Sequence, residues 1–174
     1  MMNQEMSNIT CLTREALIDL INLDISHLYS AAIQYNNHAA MIKGAVWMSY
    51  AQDIKNHAHD DFYQAQELSE RITLLGGCPT VQVAPVKTAE SSLEMVEQDM
   101  SIQLESIDRL KKRIEQLMDA EEFGFVEIYQ EILKHEQGHL LTTEAALGDK
   151  LPAEEVETIK IRMARQARQK NYMA

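Results

Sequence analysis

Glu136 and His139 stand three residues apart in the run HEQGH, which places a carboxylate and an imidazole one turn apart on one helix face. Asp61 and Gln64 repeat that step in NHAHDDFYQ, with His57 one turn before Asp61. Carboxylate oxygens and imidazole nitrogens together suit divalent metal ions. Asp24 and Gln103 add polar residues to stretches whose helical period is otherwise apolar. A buried carboxylate or imidazole left without a partner is costly, so these residues mark a polar layer that a metal or a hydrogen-bond network must organise. The plainer readings are that Glu136 and His139 are a solvated pair and that His57 is an ordinary surface or core histidine. His57 and His59 are two residues apart, point in different directions and do not chelate one ion together. His27 and His135 read as facing away from the seam.

The elements that must position these groups are long helices. Thr13 offers a cap, and Leu17, Ile21, Asp24, Leu28, Ala31, Tyr35, His38 and Ile42 form one seam up to the break at Gly44. A second seam runs from about Val46 to Leu75 through Tyr50, Ile54, His57, Asp61, Gln64, Leu68 and Ile72, and Gly76-Gly77-Cys78-Pro79 ends it. From Gly76 to about Glu90, with Pro79 and Pro85, no helical period exists, and this length suits a crossover between antiparallel helix pairs. Ser91 followed by Glu94 is a capping-box pattern that opens a third helix through Val96, Met100, Gln103, Ile107, Leu110 and Leu117. A fourth carries Phe125, Tyr129, Ile132, Glu136, His139, Thr143 and Ala146 on one face up to Gly148. After Pro152, acids precede bases as a helix dipole prefers, which predicts a short fifth helix bearing Arg162, Arg165 and Arg168. The expected organisation is an extension over 1–12, an all-α up-down four-helix bundle over 13–148 with a long crossover between helices two and three, and a basic C-terminal helix over 149–174.

Composition agrees with this reading. A chain of 174 residues with 45% hydrophobic and 25% charged residues fits one domain with a sizeable core. A formal charge of −11 argues against wholesale binding to nucleic acid or an anionic membrane, and suits solubility or an interior that attracts cations. The start, MMNQEMSNIT, lacks the basic flank and apolar core of a leader, and no membrane span is expected, which predicts a cytoplasmic location. Cys11 and Cys78 have neither disulfide-framework nor zinc spacing, and the ten methionines and Trp47 read as packing.

Three stretches carry a family resemblance: Gln34-Tyr35-Asn36-Asn37-His38-Ala39, Arg71-Ile72-Thr73-Leu74-Leu75-Gly76-Gly77-Cys78-Pro79-Thr80, and Ile132-Leu133-Lys134-His135-Glu136-Gln137-Gly138-His139. Over about residues 13 to 148 the chain resembles the bacterioferritins and the related bacterioferritin-like miniferritins. That resemblance implies a ferritin-like bundle in which two helices each give a Glu and the other two each give a Glu-x-x-His pair. Carried over by position, the helix-one Glu falls on Leu28, the helix-two pair on Asp61 and Gln64, and the helix-three Glu on Gln103; Glu136 and His139 match. The haem-ligating Met falls on Phe62, so no haem is expected.

Two divalent ions carry four positive charges, and the carried-over positions supply only the carboxylates of Asp61 and Glu136. A dinuclear centre is therefore not expected. One arrangement is a single iron or other divalent ion on Asp61, Glu136 and His139, with His57 as a fourth ligand. The other is metal-free, with Gln64 and Gln103 donating amide hydrogen bonds to Asp61 and Glu136 and a protonated His139 balancing charge. The resemblance implies a cage-like homo-oligomer related to iron storage and iron binding, with weak or absent ferroxidase activity. The alternatives are a non-catalytic pseudo-ferritin, structural or co-assembling with an active paralogue, and a miniferritin that meets DNA or an acidic partner through its C-terminal helix.

Overall fold

The computed structural model describes residues 13–173; the 1–12 extension and Cys11 lie outside the described residues. Helix α1 spans Arg14–Met41 and is capped by Thr13, whose hydroxyl accepts from the Ala16 amide at 3.2 Å. A short 3-10 turn, Ala45–Trp47, leads into α2, Met48–Leu74. Helix α3 spans Ser92–Asp119 and is capped by Ser91, which accepts from the Glu94 amide at 3.2 Å. Helix α4 spans Phe123–Gly148, and α5, Ala153–Met173, is the shortest of the five described α-helices.

Helix α2 ends in a Schellman motif, with the Gly76 amide bonded to the Thr73 carbonyl and the Gly77 amide to that of Ile72, both at 3.0 Å. Gly76 supplies the positive φ of 76° that this stop requires. Gly77 is needed for space: a Cβ there would lie 2.8 Å from Ile18 Cδ1 and 3.0 Å from Ile72 Cγ2. Gly77→Ala is expected to lower stability by about 1–3 kcal/mol through overpacking. Gly138→Ala, in α4 with nothing near its Cβ position, is expected to raise it by up to about 1 kcal/mol. Denaturant unfolding of the two variants checks the contrast, which fails if they move together.

From Gly77 the chain runs back along α1. Asn22 Oδ1 accepts from the Thr80 amide at 2.7 Å, the Ser26 carbonyl from the Ala84 amide at 3.0 Å, and Gln34 Oε1 from the Lys87 amide at 3.1 Å; Ser30 donates to the Pro85 carbonyl at 2.9 Å. Asn22, Ser26, Ser30 and Gln34 recur every four residues and form one stripe along the helix. The stripe fastens the crossover, which carries the chain from the start of α1 to its end. Side chains from the starts of α2 and α3, Tyr50 and Asp99, consequently meet, so these two helices run in the same direction.

The core has two apolar halves. One gathers Leu17, Ile21, Ile25, Leu28, Leu68, Ile72, Leu110, Leu117, Tyr129 and Ile132. The other gathers Tyr35, Trp47, Tyr50, Ile54, Met95, Met100 and Leu147 with Ile159 and Met163 of α5. Helix α5 thus packs on the bundle, and Arg162 pairs with Glu97 of α3 at 2.7 Å, while Arg165 and Arg168 remain exposed. By length and composition alone, α1 is also long and apolar enough to cross a membrane. Packing accounts for that apolarity, because Leu17, Ile21, Ile25 and Leu28 fill the core beside a buried Asp24.

Candidate metal centre

Helices α2 and α4 bring Asp61, Glu136 and His139 together between the two apolar halves. Their ligand atoms lie within 4.8 Å of one another, and all three side chains are buried. Asp61 is completely buried; as a carboxylate its two oxygens have no donor, and its carboxyl stands in hydrogen-bond range of that of Glu136, a bond that needs a proton on one of the two. Burial and then the neighbouring Glu136 carboxyl push its pKa well above the ordinary carboxylate value. Without a cation, the fold therefore disfavours charge on Asp61.

The amides expected to satisfy these carboxylates do not do so. Gln103 is fully buried with both its oxygen and its nitrogen unpartnered, and Gln64 Oε1 is likewise orphaned. Leu28 packs into the apolar core. The Tyr35 hydroxyl, which feels the charges of Glu136 and Asp61, and His139 Nδ1, near Glu136, are also buried without hydrogen-bond partners. Unpaired buried polar atoms are rare in folded proteins. Such a concentration fits a cation with its own ligands, and the donor set of two carboxylates and one imidazole suits a divalent ion.

His57 stacks flat on His139, with ring centroids 3.7 Å apart and planes at 17°. Burial and then the nearby His139 lower its pKa to about 3, so His57 is a neutral ring at physiological pH. Tyr35 meets His57 edge-on, with ring centroids 6.2 Å apart. The position one turn before Asp61 thus gives His139 a wall, and the Asp61, Glu136 and His139 cluster is complete without a His57 nitrogen.

Asp24 belongs to a different network from the one the seam pattern predicted. Its Oδ2 accepts from Arg113 Nε at 2.7 Å and from the Tyr129 hydroxyl at 2.8 Å. Arg109 Nε lies 3.2 Å from Oδ1 as an ion pair without hydrogen-bond alignment. A third network lies toward the other end of the bundle, where fully buried Asp99 accepts from Gln34 Nε2 at 3.0 Å and Tyr50 at 3.1 Å and pairs with His38 Nδ1 at 2.7 Å. Tyr50 in turn lies 3.4 Å from the Thr143 hydroxyl, so all four bundle helices contribute. Asp99, Arg109 and Arg113 were not singled out in the sequence.

Beside the buried cluster, Asp60, His135 and His139 form a second group with ligand atoms within 4.8 Å of one another, graded from exposed His135 to buried His139. Asp60 and His135 also line a cavity of about 290 Å³ together with Gln64, Glu67 and Glu131. The adjacent acids in His59-Asp60-Asp61 were the available signal, but one-turn spacing singles out Asp61 alone.

Comparison with known proteins agrees with this fold. The ferritin-like domain model matches residues 18–151. A bacterioferritin of Streptomyces coelicolor is 30% identical over 138 residues, 78% of this chain and 83% of that protein. Among solved structures, a ferritin-like diiron-carboxylate protein of Bacillus anthracis superposes with a TM-score of 0.73 at 30% identity, covering 82% of this chain and 99% of that one. A dodecameric thioferritin, a bacterioferritin-related protein of Bacteroides fragilis, shares the fold at a TM-score of 0.73 and 23% identity over 80% of this chain and 89% of its own. With the ferritin-like domain matched over most of its length and a bacterioferritin 30% identical to it, the chain belongs to the ferritin-like domain family as a relative of the bacterioferritins.

Proposed function

We propose that this chain is a bacterioferritin-like subunit that assembles with copies of itself and binds a single divalent ion, iron in its family context, on Asp61, Glu136 and His139. The observation that carries this reading is the fully buried Asp61 carboxyl, whose oxygens have no donor other than a protonated Glu136, within ligand distance of Glu136 and His139. A divalent ion balances the two carboxylates, whereas a second ion would leave an excess of buried positive charge. Bound iron would supply one-electron redox chemistry. Asp61 and Glu136 would compensate its charge, His57 would hold the His139 ring in place and exclude water from its face, and Leu28 and Gln103 would withhold the carboxylates that a bridged pair requires. Weak ferroxidase turnover follows from that deficit.

Assembly is supported by apolar surface on the α1 and α2 side, where Phe62 and Ile33 are about half exposed and Phe62 packs against Tyr29 at 5.7 Å. It is supported also by the dodecameric state of the Bacteroides fragilis relative. A metal-free partner subunit is the second reading. The apolar Leu28 favours it, as does the positive field of Arg109, which acts to lower the Asp61 pKa in the manner of a weak cation.

Anaerobic Fe(II) titration of the purified protein decides between them. The expected result is one tight ion per subunit, weakened by about tenfold or more in Glu136→Gln. Two tight ions per subunit would overturn the single-ion reading, and none would leave the partner-subunit reading.

A further inference from the structure

His139 turns its two ring nitrogens toward different carboxylates. Nδ1 lies 3.7 Å from Glu136 Oε1 within the buried cluster, while Nε2 lies 3.5 Å from Asp60 Oδ2 on the side that opens to solvent. Asp60 and exposed His135 form a second group with His139, and both line the cavity that Glu67 and Glu131 make acidic. His139 is itself only 4% exposed, with Nδ1 unpartnered. The ring is therefore a partition with a set of metal donors on each side.

We propose that Asp60, His135 and His139 Nε2 form an outer site for a divalent cation, and that this site and the buried one exclude each other because they share one imidazole. A neutral imidazole offers one lone pair and carries one proton. A cation on Nε2 leaves the proton on Nδ1, where it is donated toward Glu136. A cation on Nδ1 leaves it on Nε2, facing Asp60. Charge points the same way, since Asp60, Asp61 and Glu136 together supply three negative charges against the four positive charges of two ions. The acidic cavity concentrates cations at the outer site, and passage inward requires the His139 proton to change sides. The mutual exclusion rests on the buried site proposed above, whereas the outer site does not.

Cobalt(II) titration of the full-length protein tests this, with bound metal counted by equilibrium dialysis and its coordination read from the visible absorption spectrum. The wild type is expected to bind one ion per subunit. His135→Ala should keep that ion and its spectrum, because the buried ligands are intact. Glu136→Gln should still bind one ion, about tenfold more weakly and with an altered spectrum, and adding His135→Ala should abolish that residual binding. An unchanged residual ion in the double variant, or no ion in Glu136→Gln, would overturn the outer site. Two ions bound at once in the wild type would overturn the exclusion. If instead Glu136→Gln matches the wild type and His135→Ala alone loses the ion, the buried-site reading fails while the outer site stands. Thermal unfolding of each metal-free variant confirms that it is folded.

Discussion

Asp24→Ala is expected to destabilise the protein by about 3–5 kcal/mol, the cost of leaving a buried charge without its partner. For a domain of this size that corresponds to a fall in the thermal midpoint of about 10 °C. Arg113 is 4% exposed and would keep only its contacts to Gln116 and the Leu20 carbonyl, while the Tyr129 hydroxyl would lose its acceptor. Arg109 would be left in the same space with no counter-charge from Asp24. Removing Arg113 as well should recover part of the loss, since the buried guanidinium is the source of much of the penalty. A double-mutant cycle on Asp24→Ala and Arg113→Ala is therefore expected to be strongly non-additive. Metal stoichiometry should be unchanged in Asp24→Ala, because this network shares no residue with the Asp61, Glu136 and His139 cluster. A loss below about 1 kcal/mol, the range of surface pairs, would show that the ion network does not hold the helices together.

That network also marks where the sequence stops being informative. Helix limits were legible because they depend on local signals: the Thr13 and Ser91 caps and the paired glycines at 76 and 77 all act where the pattern places them. Glu136, His139 and Asp61 were legible because one-turn spacing fixes which side chains share a face. Asp24 was correctly buried but wrongly grouped, since its partners lie 89 and 105 residues away and no periodicity records which buried polar groups meet. Asp99 and Arg113 were missed for the complementary reason: nothing in the runs VEQDM and DRLKKR records that other helices close around them. The polar stripe of α1 lay in plain view at four-residue steps, yet its use as an anchor for an aperiodic crossover depends on tertiary placement.

Asp61→Asn is expected to make the metal-free protein more stable while weakening its metal binding by about tenfold or more, a combination that separates a binding carboxylate from a structural one. In the folded chain, burial and Glu136 raise the Asp61 pKa well above its unfolded value. A carboxyl whose folded pKa is raised favours the fold only while it is protonated, so stability is lost as pH rises above the unfolded value of about 4. Asparagine removes that titration. The gain should be about 2 kcal/mol near pH 7, seen as a midpoint about 5 °C higher, and should shrink as pH is lowered toward 4. A cation narrows the gap. At a metal concentration about 100 times the wild-type dissociation constant, binding adds about 2.7 kcal/mol to the wild type and about 1.4 kcal/mol to a variant that binds about tenfold more weakly, so the variant's lead falls from about 2 to about 0.7 kcal/mol. Thermal unfolding of both proteins with chelator and with Co(II) at that concentration therefore gives a lead that shrinks with metal if Asp61 is kept for a metal. If Asp61→Asn is destabilising with chelator present, the carboxylate has a structural partner, and the orphaned oxygens of Asp61 do not signify an ion.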